Sequence, residues 1–335
     1  MMKGIYLLAN DKVYDQLIAL INSIEVNYSP DIPICIIPFN DQLDLIKQEL
    51  GQRKNLFLFE DRSSIDKWEK FITEFNDLYE KYPHEGVSEK KTEILTMHRK
   101  YCAFDGPFDK FIYLDLDTLV FQSLDHVFSK LDEYDFVVHD YQRTTAIRLK
   151  EVDYFFEVFN DVYKSKEALA NRFHCGGFWA SKRGAIAQND LDYFLKELAN
   201  GDIKIFRSWL SEQIKLTYMT LKKNLSLYNF TLDESSDFNT GVCVTSAHFQ
   251  EKNHLLYDKG KKLTYLHYMG IKNERLRRLC EWEKLNLPFK DQLVYFVDKL
   301  YKWQIRSIPY KEIFLYYRFM REKQARGIRS GFSQS

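Results

Sequence analysis

Short apolar runs alternate with amphipathic stretches along most of the chain. Gly4-Ile5-Tyr6-Leu7-Leu8-Ala9 is uninterrupted and closes on Asn10-Asp11. A run this short, bounded by polar residues, predicts a strand buried on both faces. From Val13 to Val26 the residues Leu17, Ile18, Leu20, Ile21 and Ile24 recur at helical spacing. After the break at Pro30-Asp31-Ile32-Pro33, Ile34-Cys35-Ile36-Ile37 predicts a second strand. Strand, helix and strand within about 35 residues form a βαβ unit, which implies a parallel sheet with a right-handed crossover. Further on, 56–59 predicts a third strand, and 66–82 and 89–104 predict charged helices. The runs 111–120, 135–140, 178–180 and 263–267 predict more strands, with helices over 185–198 and 209–221. Beyond Gly270 the pattern is helical and basic, and 327–335 reads as a disordered end. No internal repeat is present.

The run 111–120, Phe-Ile-Tyr-Leu-Asp-Leu-Asp-Thr-Leu-Val, places two aspartates inside an apolar strand. In extended chain, positions i and i+2 share a side, so Asp115 and Asp117 present paired carboxylates. Such anions cost free energy among apolar residues unless a cation sits between them. A hard divalent ion, Mg²⁺ or Mn²⁺, meets that need with carboxylate oxygens. The plain alternative is a pair of aspartates opening a solvated turn. A second Asp-Leu-Asp, Asp190 to Asp192, serves as an internal control. It lies in a mixed polar stretch near a predicted helix start, where Asp is an ordinary first-turn residue, and no metal is expected there. In an open parallel sheet, ligands bind outside the carboxyl ends of the strands. Asn10-Asp11, Asp115/Asp117, Asp140 and His267 all fall at such ends.

At 335 residues with 45% hydrophobic content, the chain suffices for one large α/β domain with additions, or two domains. Lys+Arg and Asp+Glu balance at 48 each, so the whole chain carries no polyanion-binding signal, and nucleic-acid binding is not expected. The balance is uneven: residues 272–329 hold 15 basic and 7 acidic side chains. These are mixed with aromatics that include Trp303, Tyr310, Phe314 and Phe319. This suits either peripheral contact with an anionic membrane surface or a solvated helical face. Cys35, Cys102, Cys175, Cys243 and Cys280 are scattered and lack zinc-site or disulfide spacing. Met1-Met2-Lys3-Gly4-Ile5 leads into a strand without a leader pattern, and no apolar run reaches the roughly 18 residues of a membrane span. A cytoplasmic protein is expected, with the inner face of a membrane as a candidate contact.

Taken in order, the motifs resemble those of the GT-A glycosyltransferases, and are most similar to family 8, the group of glycogenin and the bacterial lipopolysaccharide galactosyl- and glucosyltransferases. The first strand with Asn10-Asp11 resembles the family's uracil- and ribose-binding start. Arg99-Lys100-Tyr101 followed by 109–117 is similar to its basic helix leading into the D-x-D strand. His174-Cys175-Gly176-Gly177-Phe178-Trp179 resembles its donor-sugar turn, Glu212-Gln213 its acidic residue and glutamine, and His267-Tyr268-Met269-Gly270 the opening of its H-x-x-G-x-x-K motif. Three departures stand out. Cys175 replaces the usual asparagine. Lys272 comes one position early, with Asn273 in the lysine's place. Phe238-Asn239-Thr240-Gly241-Val242 is a second asparagine-glycine turn that competes for the donor.

The resemblance implies a GT-A, Rossmann-like fold over 1–271, with a helical C-terminal extension over 272–335. It implies a hexosyltransferase using a nucleotide sugar, UDP-hexose first, with a divalent metal held by Asp115, Asp117 and His267. A histidine ligand favours Mn²⁺ over Mg²⁺. Ala9, Asn10, Asp11, Tyr14, Leu116, Gly177 and Gly270 are the implied nucleotide and sugar contacts, with Arg99, Lys100 or Lys272 supplying positive charge to the diphosphate. Retention of anomeric configuration is implied, with Gln213 stabilising the reacting sugar or positioning the acceptor. Glu212 is the alternative for a direct role, and Asp140 is a candidate partner of sugar hydroxyls. The acceptor, whether glycan, glycolipid or small molecule, is not specified. Two other readings stand: a sugar nucleotidyltransferase, which the glycine-free Ala9-Asn10-Asp11 loop disfavours, and a nucleotide-sugar or carbohydrate-binding protein without turnover.

Overall fold

The computed structural model describes residues 1–82, 95–140, 146–206, 211–243, 248–285, 293, 298–299 and 304–325, without the side chains of 146–150. Its centre is a seven-stranded sheet. The strands are β1 (Lys3–Ala9), β2 (Ile34–Pro38), β3 (Leu56–Leu58), β4 (Lys110–Leu114), β6 (Phe136–Val138), β7 (Phe178–Lys182) and β8 (Leu227–Asn229), ordered β3-β2-β1-β4-β7-β6-β8. β5 (Thr118–Val120) belongs to a separate sheet. The pairings are parallel except the two made by β7. The expected α/β architecture, a mostly parallel sheet flanked by helices, is therefore present.

The apolar runs are continuous because both faces of the sheet are covered. In β1, Ile5, Leu7 and Ala9 pack with Leu17, Leu20 and Ile21 of α1 (Tyr14–Asn27). Tyr6 points the other way, into an aromatic core with Trp68 and Phe75 of α3 (Arg62–Lys81) and Trp179 of β7. α2 (Asp44–Leu50) and α4 (Asp125–Lys130) add Ile46, Val127 and Phe128 to the α1 side. On the α3 side lie α5 (Ala146–Phe159), α6 (Lys166–Ala170), α7 (Gln188–Ala199) and α8 (Glu212–Lys222). A small antiparallel sheet of β9 (Gln250–Lys252), β10 (Leu255–Asp258) and β11 (Lys261–Lys262) precedes β12 (Tyr265–His267), which pairs antiparallel with β5.

Beyond β12, α9 (Asn273–Lys284) and α10 (Lys311–Ala325) share a core with Ala19 of α1 and with Leu119 and Phe121. Asn22 in α1 donates to the Tyr317 carbonyl at 2.6 Å, and the nearly buried Arg318 pairs with Asp15 at 2.5 Å. Arg321 pairs with Glu25, Lys284 with Asp15, and Arg277 and Arg278 with Glu274. These basic residues meet carboxylates of the chain itself. Trp303, Arg326, Arg329 and 327–335 lie outside the described residues. No helix among the described residues is long and apolar enough to cross a membrane.

Two expectations change, over 111–120 and over 89–104. The run 111–120 is not one strand: it breaks into β4, a turn at 115–117, and β5 in a separate two-stranded sheet with β12. The strand after the glycine pair, β7, is present as expected and is the antiparallel member of the mostly parallel sheet. Of the helix expected over 89–104, Leu95–Phe104 is a 3-10 helix and 89–94 lies outside the described residues.

Candidate metal and nucleotide site

The break after β4 builds the site. The Asp115 N–H donates to the Gly177 carbonyl at 2.8 Å, and the Thr118 hydroxyl donates back to the Asp115 carbonyl at 2.7 Å. These bonds close a turn that swings Asp115 and Asp117 to the end of the sheet. β5 then pairs with β12 so that Thr118 stands opposite His267. The Tyr268 N–H bonds the Asp117 carbonyl at 2.7 Å, and the His267 N–H bonds the Val242 carbonyl at 2.6 Å. Asp115, Asp117 and His267 each offer one ligand atom, and these atoms lie within 4.8 Å of one another. His267 Nε2 is 3.2 Å from Asp117 Oδ1.

This donor set, two carboxylate oxygens and an imidazole nitrogen, fits Mn²⁺ or Mg²⁺, with the nitrogen favouring Mn²⁺. Gly177 forms the wall beside it. A Cβ there would lie 2.5 Å from His267 Cε1 and 3.0 Å from Asp115 Oδ2, so only glycine lets the three ligands converge.

The charges are tightly coupled. Burial pushes the Asp115 carboxyl above the ordinary carboxylate range, opposed by Lys100 and reinforced by Asp117. Burial works the same way on Asp117, but the His267 imidazolium overrides it and holds that carboxyl low. Burial disfavours the His267 cation, yet Asp117 lifts its pKa well above the usual histidine value. Lys100, with its side chain 1% exposed, lies 3.2 Å from Asp115, 3.5 Å from Glu212 and 3.5 Å from the Gly176 carbonyl. Burial disfavours its charge as well, but Asp115 and Glu212 raise its pKa. The Tyr113 hydroxyl donates to Asp115 at 2.8 Å.

A cavity of about 400 Å³ opens beside Asp115, Leu116 and Asp117 and runs over Lys100, Asn10, Leu8 and Phe39 at the carboxyl ends of β1 and β2. Ala9, at the end of β1, is packed in the α1-side core. The Asn10 side chain also accepts from the Lys12 N–H. The Asp11 carboxylate accepts from the Leu45 and Ile46 N–H groups at the start of α2, and the Tyr14 hydroxyl donates to Glu49. Arg99 pairs with Glu69 and donates to the Pro38 and Phe39 carbonyls. Lys272 is exposed, whereas Asn273 beside it lines the cavity. Gly270 has φ of +82°, which glycine adopts without strain.

Glu212 and Gln213 open α8, where Ser211 caps the helix by accepting from the Ile214 N–H. Gln213 accepts from the Gly176 N–H at 3.3 Å, and Asp140 accepts from the Cys175 N–H at 2.7 Å. Both thereby hold the turn 174–177. His174 is buried behind it, with Nδ1 3.0 Å from the Cys175 carbonyl. The structure thus brings Asp115, Asp117, His267, Lys100, Gly177, Glu212, Gln213 and Asp140 together, and directs the Asp11, Tyr14 and Arg99 side chains to structural partners. Sequence reasoning missed Lys12, Phe39, Met97 and Asn273 in the lining. For Lys12 and Phe39 the signal was position, since Phe39 directly follows β2 and Lys12 lies three residues beyond the end of β1.

No protein-family model matches the chain, and no curated protein matches it in sequence. Among solved structures it is similar to mouse xyloside xylosyltransferase 1 in its apo form (12% identity over 68% of this chain and 85% of that one, TM-score 0.47). It is also similar to the galactosyltransferase LgtC in complex with donor and acceptor sugar analogues (13% identity, 81% and 88%, TM-score 0.49). A third is core-mannan synthase A of Aspergillus fumigatus in a Mn/GDP form (10% identity, 69% and 73%, TM-score 0.37).

Proposed function

We propose that the protein is a metal-dependent glycosyltransferase that moves a hexose from a nucleotide sugar, UDP-hexose first, to an acceptor with retention of configuration. The observation that carries this reading is the convergence of Asp115, Asp117 and His267 beside a cavity at the carboxyl ends of β1, β2 and β4. The three side chains hold the metal, and the cavity over Asn10 and Phe39 takes the nucleoside. Bound Mn²⁺ or Mg²⁺ would supply Lewis-acid stabilisation to the diphosphate leaving group. Lys100 keeps Asp115 and Glu212 compensated, and its ammonium adds positive potential to the diphosphate side. Gly177 and Gly176 bring backbone close to the sugar. Gln213, fixed on the Gly176 N–H, positions the acceptor or stabilises positive charge at the anomeric carbon; an amide cannot serve as the base, so the acceptor proton passes to the departing phosphate oxygen. In this reading residues 1–271 carry the reaction, and the described helices α9 and α10 of the C-terminal extension brace α1.

Calorimetric titration with UDP-, GDP-, ADP- and CDP-sugars, with and without Mn²⁺, tests the reading. Metal-dependent binding of one nucleotide class that Asp117→Ala abolishes is the expected result. Binding indifferent to both metal and Asp117, or no binding at all, overturns it.

A further inference from the structure

His267 has two ring nitrogens, and only one can face a metal. Nε2 lies 3.2 Å from Asp117 Oδ1, on the ligand side. Nδ1 lies on the opposite side of the ring, 4.0 Å from Cys175 Sγ. The Gly177 N–H also points at that sulfur, at 3.4 Å. Cys175 is 6% exposed, and its own N–H is fixed by Asp140 at 2.7 Å. The sulfur is therefore held behind the ring, placed to accept from Nδ1. Metal-ligating histidines give their remaining N–H to an acceptor, which fixes tautomer and orientation. A thiol sulfur is a weak acceptor but an adequate one where the site is dry and shaped to it.

We propose that Cys175 is a positioning residue for the metal site: its sulfur accepts the His267 Nδ1–H and so leaves the Nε2 lone pair facing Asp115 and Asp117. This rests on the metal reading of the site. It assigns a role to the residue at which the turn 174–177 departs from the asparagine of the resembled motif. It also links the donor turn to the metal, because Asp140, Cys175 and His267 form one chain of contacts. No other described side chain stands within hydrogen-bond reach of His267 Nδ1.

The test compares wild type, Cys175→Ser and Cys175→Ala in the full chain. Mn²⁺ affinity is measured by electron paramagnetic resonance, and the His267 tautomer is read from ¹⁵N imidazole shifts with and without Mg²⁺. In wild type, a protonated Nδ1 and an unprotonated Nε2 are expected in the metal-bound form. Removing the acceptor in Cys175→Ala should weaken Mn²⁺ binding by about 10- to 100-fold and mix the tautomers. Cys175→Ser, which keeps an acceptor, should restore most of the affinity and the single tautomer. Near-UV circular dichroism checks that both variants keep the native packing. Should the alanine variant misfold, the serine variant and the wild-type tautomer still decide. The proposal is overturned if Cys175→Ala binds Mn²⁺ like wild type, or if wild-type His267 carries its proton on Nε2 in the metal-bound form. A wild type that binds no divalent metal overturns the functional reading together with this one; unaffected variants of a metal-binding wild type overturn this one alone.

Discussion

Asp-Leu-Asp occurs twice in this chain, and the two copies meet opposite fates. In Asp115-Leu116-Asp117 the tripeptide forms a turn at the end of a buried strand, and both carboxylates face a nearly buried histidine and lysine. In Asp190-Leu191-Asp192 it forms the first turn of α7. There Asp190 accepts from the Ala187 N–H and pairs with Lys223, while Asp192 is exposed and accepts from Gln188. The middle leucines diverge too: Leu116 lines the cavity, whereas Leu191 fills the core beneath α7. The tripeptide carries no chemistry of its own. Two concentrated like charges can hold a cation only where the fold excludes water and brings a further ligand atom within reach, as His267 is at the first copy.

Exchanging side chains at the two copies breaks the comparison most strongly. Asp117→Ala should lower transferase turnover by about 10³-fold or more, since Lewis-acid stabilisation is worth several kcal/mol. Asp192→Ala should leave it within about twofold, an exposed surface change. Steady-state assays with a nucleotide sugar and Mn²⁺ measure both. The paired lysines come next. Lys100→Met leaves Asp115 and Glu212 without their buried partner and should cost about 3–5 kcal/mol in urea unfolding. Lys223→Met removes a partly exposed pair and should cost about 1 kcal/mol or less.

Smaller effects sharpen the contrast. Gly177→Ala puts a methyl group 2.5 Å from His267 Cε1 and should weaken Mn²⁺ binding about 10- to 100-fold, by the displacement of a ligand. The first Asp-Leu-Asp should also be sensitive to pH in a way the second is not. His267 holds its proton to well above its ordinary pKa because Asp117 faces it, and metal must displace that proton. Mn²⁺ affinity should therefore rise with pH, by up to about tenfold per unit, until the pKa of His267 in the folded protein is passed, and fall on acidification. Titrations at several pH values check the sign. At the low end, Asp190→Ala removes the carboxylate that accepts from the Ala187 N–H at the start of α7 and should cost about 1 kcal/mol with no change in metal binding.

The sequence made the central sheet legible because both of its faces are buried, which leaves runs such as Ile5 to Ala9 and Ile34 to Ile37 uninterrupted. It made Asp115 and Asp117 legible because carboxylates in such a run have no packing use. The turn that presents them was not legible. It depends on the Gly177 carbonyl, 62 residues later, and on Thr118 pairing opposite His267. The antiparallel course of β7 was hidden for a similar reason, since a buried strand reads the same in either direction. Asp11, Tyr14 and Arg99 show the limit of local motif order. Their partners Leu45, Glu49 and Glu69 come from α2 and α3, and nothing within the motifs announces those contacts.

The most direct measurement is an anomalous difference map from a crystal soaked in Mn²⁺, recorded at the manganese edge. The account predicts one strong peak at bonding distance from carboxylate oxygens of Asp115 and Asp117 and from His267 Nε2, with none at Asp190 or Asp192. A peak at the second Asp-Leu-Asp, or no peak at the first in a crystal that binds manganese elsewhere, would contradict it.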